Sequence, residues 1–112
     1  MEIVVKTKVK NVQVSPQKMR LVANLVRNMD VQRAVDVLSV LRKKAALPML
    51  KAFNTAIASA KELHNVDVSV LEVKSLSVDE GVTYKRVRFG SRTRVARINK
   101  ERSHINLELR VK

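Results

Sequence analysis

Eight Lys or Arg side chains fall between Thr83 and Arg102: Lys85, Arg86, Arg88, Arg92, Arg94, Arg97, Lys100 and Arg102. One acid, Glu101, stands among them. Six of the eight are arginines, whose planar guanidinium pairs bidentately with phosphate oxygens and stacks on bases. Such a set can grip a polyanion, and six to ten phosphate contacts would make affinity fall about 10³–10⁵-fold from low to moderate salt. A solvated charge run is the plainer alternative, but a run on a helix face is usually laced with acids and this one is not.

Other residue types give little for catalysis. His64 and His104 lie far apart in the chain, no acidic cluster accompanies either, and cysteine is absent. No nuclease constellation, metal site or cofactor is therefore expected. His64 reads as the end of a helix. His104 sits on the polar side of a strand. Asp79 and Glu80 adjoin the basic stretch and are expected to hold its base by pairing with Arg or Lys. Tyr84 and Phe89 have two readings, stacking on bases or packing the two arms of the stretch together.

The elements that position these groups follow from periodicity. Ile3, Val5, Thr7 and Val9 alternate with Val4, Lys6, Lys8 and Lys10, the two-residue period of a strand with a basic wet face. Ser15 and Pro16 form a standard helix start. Behind them Met19, Val22, Leu25, Val26 and Met29 form an apolar stripe at helical spacing, with Lys18, Arg20 and Arg27 off it. Lys18 and Arg20, near a helix start, are candidates for a second phosphate contact, with Lys6, Lys8 and Lys10 close by. Asp30 is placed to cap a short helix with Val31, Ala34, Val35 and Leu38 inward. Residues 42–63 form the longest helical pattern, on Ala45, Ala46, Met49, Phe53, Ala56, Ile57 and Ala60; either the regular helix begins near Pro48 or its first turns are kinked there, and the kink is favoured because "RKKAA" is good helix material. After the turn "HNVDVS" the period is two again on Val68, Val70, Val73, Leu76 and Val78, with a parity slip that predicts a bulge. Ile105, Leu107, Leu109 and Val111 point inward on a last strand, with His104, Asn106, Glu108 and Arg110 outward.

Two strands thus flank the basic stretch, which must leave their sheet and return. With its middle near Gly90, each arm has about ten residues, an excursion on the order of 30 Å at roughly 3.3 Å per residue. Val87, Val95 and Ile98 are too scattered to form a core there, and an isolated two-stranded ribbon is marginal in water. The fold class is α+β: a small antiparallel three-stranded sheet packed against three helices, with a long protruding basic β-hairpin. The 112 residues read as a single domain, with a globular body at about 1–80 and 99–112 and an extended hairpin at about 81–98.

Bulk composition agrees. Net charge is +13 and 46% of residues are apolar, so a core is possible and the simplest partner is a polyanion, nucleic acid first and an anionic membrane surface second. No apolar run approaches a membrane span, and "MEIVVKTKVK" is too short and too lysine-interrupted for a signal peptide. The expectation is a cytoplasmic protein with no membrane partner.

The ordered set "SPQKMRLVANLVR", "KKAA", "NTAIASAKELHN", "VDEG", "KRVRFGSRTRVARI" and "SHI" resembles the large-subunit ribosomal protein L-twenty-two family, from about residue 7 to the C-terminus. No single motif is strong, but the set is specific. The resemblance implies a structural, non-catalytic protein that binds large-subunit ribosomal RNA early in assembly. It also implies neighbouring ribosomal proteins as partners, and a hairpin that lines the nascent-peptide exit tunnel near the macrolide site. Carried over by position, Lys85, Arg86, Arg88, Arg92, Arg94 and Arg97 would meet RNA or the tunnel, and Phe89, Gly90 and Ser91 would form the tip. Lys6, Lys8, Lys10, Lys18, Arg20, Lys100, Arg102 and His104 complete the expected RNA-binding set. The chain departs from the family pattern at Val82 and Phe89, where prolines are usual, at Thr93, where glycine is common, and at Pro48. An architectural DNA-binding protein is the alternative reading, disfavoured because no apolar surface is expected to be left for the dimer such proteins form; a monomer is expected.

Overall fold

A computed structural model describes residues 3–81, 84–89 and 95–112, with the strands between 84 and 100 defined by their backbone. The order is β1 (Val4–Val12), α1 (Pro16–Val26), α2 (Val31–Val40), α3 (Ala46–His64), a 3-10 turn (Val68–Val70), β2 (Leu71–Glu80), β3 (Tyr84–Phe89), β4 (Val95–Lys100) and β5 (Ser103–Val111). β1, β5 and β2 form an antiparallel sheet in that spatial order, and β3 and β4 pair with each other as a second, two-stranded sheet.

The alternation read from the sequence sets the main sheet's two faces. Ile105, Leu107 and Leu109 of β5 are fully buried, with Val5, Val73, Leu76 and Val78 on the neighbouring strands. α3 lies against β1 and β5, and α1 against β2. α3 presents Ala46, Ala52, Ala56 and Ala60, all buried, around Met49 and Phe53. Small side chains at helical spacing bring its backbone close to the sheet, and Phe53 fills the remaining depth. The bulge expected in β2 occurs between Val73 and Ser75.

Several expectations are corrected. α3 begins at Ala46, leaving "RKK" outside it, and Pro48 lies in its first turn. There the missing N–H is one of the helix's orphan donors in any case and the ring meets no preceding carbonyl, so starting late removes the conflict that a kink would have relieved. Asp30 precedes α2 without a side-chain cap; its Oδ2 lies 3.0 Å from Lys112 Nζ. Val68 and Val70 belong to the 3-10 turn, not to a strand: Val70 N–H donates to Asp67 O at 3.2 Å, and Ser69 Oγ donates to Asp67 Oδ2 at 3.0 Å. Leu25 is 44% exposed, and Ala23 takes its place in the buried stripe. Leu21, Val40, Leu47 and Leu63 are also exposed, so apolar surface is left over. The helix start at Ser15 is as expected, with Lys18 N–H donating to Ser15 Oγ at 3.4 Å and Pro16 in the first turn.

β2 is an edge strand, and such an edge needs cover. Arg20 on α1 and Arg27 at its C-terminal cap, about two turns apart, supply it. Arg20 Nη2 donates to Val78 O at 3.2 Å, while Arg27 Nε and Nη2 both donate to Leu76 O, at 3.2 and 2.9 Å. Arg27→Ala should therefore lower stability by about 1–2 kcal/mol, read as a lower urea midpoint. Arg27→Lys should recover little of it, because one ammonium cannot reproduce the fork.

The molecule measures 64 Å along its longest axis and 25 and 19 Å across. Its radius of gyration, 17.0 Å, exceeds the roughly 13 Å of a compact domain this long. The elongation is what a two-stranded ribbon outside the main sheet produces.

Candidate nucleic-acid interface

The ribbon is joined to the main sheet where β2 and β5 end. Glu80 pairs with Ser103, and Gly81 N–H donates to Arg102 O at 2.8 Å. A Cβ on Gly81 would sit 3.1 Å from the Arg102 carbonyl carbon and oxygen, so the close approach of the two chains favours glycine here. Asp79 and Asn106 brace the same end, with Asn106 Nδ2 donating to Asp79 Oδ2 at 2.6 Å. The expected pairing of Asp79 and Glu80 with the Lys and Arg of the stretch falls mainly on side chains outside the described residues.

The β3–β4 register keeps cations apart. Lys85 pairs with Asn99, Arg86 with Ile98, Val87 with Arg97 and Arg88 with Ala96. In these described pairs no two basic residues are direct partners, and like charges directly opposite would be unfavourable. The midpoint of the register falls at position 92, two residues past Gly90. Phe89 ends β3 opposite Val95. Gly90, Ser91, Arg92, Arg94, Val82 and Thr93 lie outside the described residues, as do the side chains of Lys85, Arg86, Arg88, Phe89, Arg97 and Lys100 and the two readings of Tyr84.

The body's predicted contacts separate into groups. Lys6 Nζ lies 3.8 Å from Glu108 Oε1, a solvent-exposed pair worth little. Lys8 and Lys10 are exposed and have no acidic partner among the described residues. Lys10 and Asn11 fall in the irregularity between Val9 and Val12, where Asn11 takes a left-handed backbone (φ 58°) that asparagine tolerates. Asn11 N–H donates to His104 Nδ1 at 3.1 Å. His104 therefore pins β1 to β5 and leaves only Nε2 without a described partner. Arg20 is an exposed cation with one nitrogen committed to the β2 edge.

Sequence reasoning missed Lys43 and Lys44. Once α3 starts at Ala46, these residues form the loop before it and meet Lys18 across a cleft of about 350 Å³. A second cleft of about 380 Å³, lined by Gln13, Lys44, Glu101 and Arg102, continues it to the ribbon's root. The signal is present in "RKK", which helix propensity alone assigns to α3. Lys18 and Arg102 are thereby brought to one region, with Lys10 and His104 on the strands that end beside it.

Among the described residues no group of three or more His, Cys, Asp or Glu could hold a metal, and no helix is long and apolar enough to cross a membrane. The fold and the displayed cations define a polyanion-binding α+β protein with a basic ribbon. A family model described as Ribosomal protein L22p/L17e matches residues 7–110. The chain belongs to that family: it is a structural protein of the large ribosomal subunit that binds ribosomal RNA, and not an enzyme. That decides between RNA and duplex DNA as the polyanion.

Proposed function

We propose that the β3–β4 ribbon reaches through large-subunit ribosomal RNA to line the path of the nascent peptide, while the body anchors the protein on RNA during assembly. The observation that carries this reading is the ribbon itself: a basic two-stranded sheet outside the main one, on a molecule 64 Å long. Lys85, Arg86, Arg88, Arg92, Arg94, Arg97 and Lys100 are its RNA contacts, and the tip carries Phe89, Gly90 and Ser91. On the body, Lys6, Lys8, Lys10, Lys18, Arg20, Arg102 and His104 meet RNA, Lys6 after exchanging Glu108 for phosphate. Recognition is mainly of backbone and shape, because lysines and arginines on an exposed surface address phosphates before bases. The free protein is a monomer: its exposed Leu21, Val40, Leu47 and Leu63 are spread over three helices, and apolar residues exposed singly are ordinary surface.

The test is photocrosslinking in translating ribosomes, from a benzophenone side chain at position 91 and, separately, at position 10. Position 91 should capture both ribosomal RNA and a radiolabelled nascent chain; position 10 should capture RNA alone. Equal nascent-chain capture from both positions, or none from position 91, would remove the tunnel role.

A further inference from the structure

The cleft between the start of α1 and the loop before α3 combines three lysines with an apolar lining. Val14 and Ala45 are buried beside it, and Leu21, 55% exposed, leaves its side chain open to it. Lys18, Lys43 and Lys44 stand at its sides, and none of the described residues lining it is acidic. A site for phosphate alone needs no apolar surface.

We infer that this cleft takes one unstacked nucleotide of single-stranded RNA, its base on Leu21, Val14 and Ala45 and its phosphates on the three lysines. The inference rests on the RNA-binding role and names a site within it. Its volume lies at the lower end of the roughly 300–1,000 Å³ typical of small-ligand sites, enough for a single nucleotide. Proteins that read RNA by sequence do so largely at bases splayed out of loops and bulges, where faces and edges are open. Gln13 at the rim carries both an amide donor and a carbonyl acceptor, the pair that a base edge can meet. Gln13 and Lys44 also line the second cleft, so the neighbouring phosphate can follow towards Arg102 and the ribbon.

The experiment is an NMR titration of the full chain with AMP, UMP, ribose 5-phosphate and inorganic phosphate. With AMP and UMP the amide signals of Val14, Leu21 and Ala45 should move. With ribose 5-phosphate or inorganic phosphate only those of Lys18, Lys43 and Lys44 should. Leu21→Ser, at an exposed position, should abolish the base-dependent shifts and keep the phosphate-dependent ones; the Lys43→Gln/Lys44→Gln pair should weaken both. Identical patterns from AMP and ribose 5-phosphate would overturn the inference, as would no shift at all. Binding of the same proteins to large-subunit ribosomal RNA is measured alongside. There Leu21→Ser should lose affinity several-fold with an unchanged salt slope, since no charge is removed. Wild-type protein that binds this RNA without base-dependent shifts would overturn the cleft alone; protein that does not bind the RNA would overturn both.

Discussion

Phe53→Ala should lower the unfolding free energy by about 3–5 kcal/mol, the usual cost of emptying a core phenylalanine site. Phe53 is fully buried and is the one aromatic residue outside the ribbon. Its flanking positions on α3 make the loss hard to absorb. Ala52 and Ala56 are already the smallest side chains that keep a helix regular, so neither can swing into the void. A domain this size has about 5–15 kcal/mol in total, and a net charge of +13 works against compaction. Urea denaturation should show the transition displaced by molar amounts, because the slope for small proteins is about 1–3 kcal/mol per molar. Phe53→Leu should cost a fraction as much, since it keeps most of the buried volume. A loss under about 1 kcal/mol for the alanine variant would mean that the core closes over the site.

What was legible in the sequence was whatever period alone decides. The alternation on Val5, Val9, Ile105, Leu107 and Leu109 gave the strands and their inner face, because successive side chains of a strand must point to opposite sides. Ser15 and Pro16 gave the start of α1 because a cap acts within one turn of its own residue. The parity slip gave the bulge in β2. What failed was decided by competition between local rules. "RKKAA" has good helix propensity, but propensity is worth tenths of a kcal/mol per residue against about 3 for a proline in a helix interior. The helix therefore yields its first turn, and the site changes with it: Lys43 and Lys44 become loop residues facing Lys18. Asp30 and Arg20 were read by their nearest neighbours in sequence, whereas Lys112 and Val78, both distant in the chain, determine what they do. Leu21 and Leu25 show the same limit. Apolar spacing marks a stripe but not its width, and α1 buries Ala23 in preference to either leucine.

Deleting residues 86–97 should leave the body folded while removing much of its hold on RNA. Five arginines go with that segment, Arg86, Arg88, Arg92, Arg94 and Arg97, taking the formal charge from +13 to +8. Each phosphate contact to single-stranded RNA adds about 0.7 to the slope of log K against log salt, so if all five meet phosphates the slope should fall by about 3–4. The body is expected to survive because its strands close before the cut. Glu80 pairs with Ser103, Gly81 N–H donates to Arg102 O, and residues 81–85 and 98–102 suffice to join them. Closing a shorter loop also costs slightly less chain entropy than holding the long one. Urea curves of the two proteins should then nearly coincide, while filter binding to large-subunit ribosomal RNA at several salt concentrations should diverge most at low salt. A deleted protein that unfolds would show that β3–β4 supports the main sheet and that the chain has no separable arm. One that folds and keeps the full salt slope would show that the body's lysines carry the electrostatic contact and that the ribbon's arginines meet something other than phosphate.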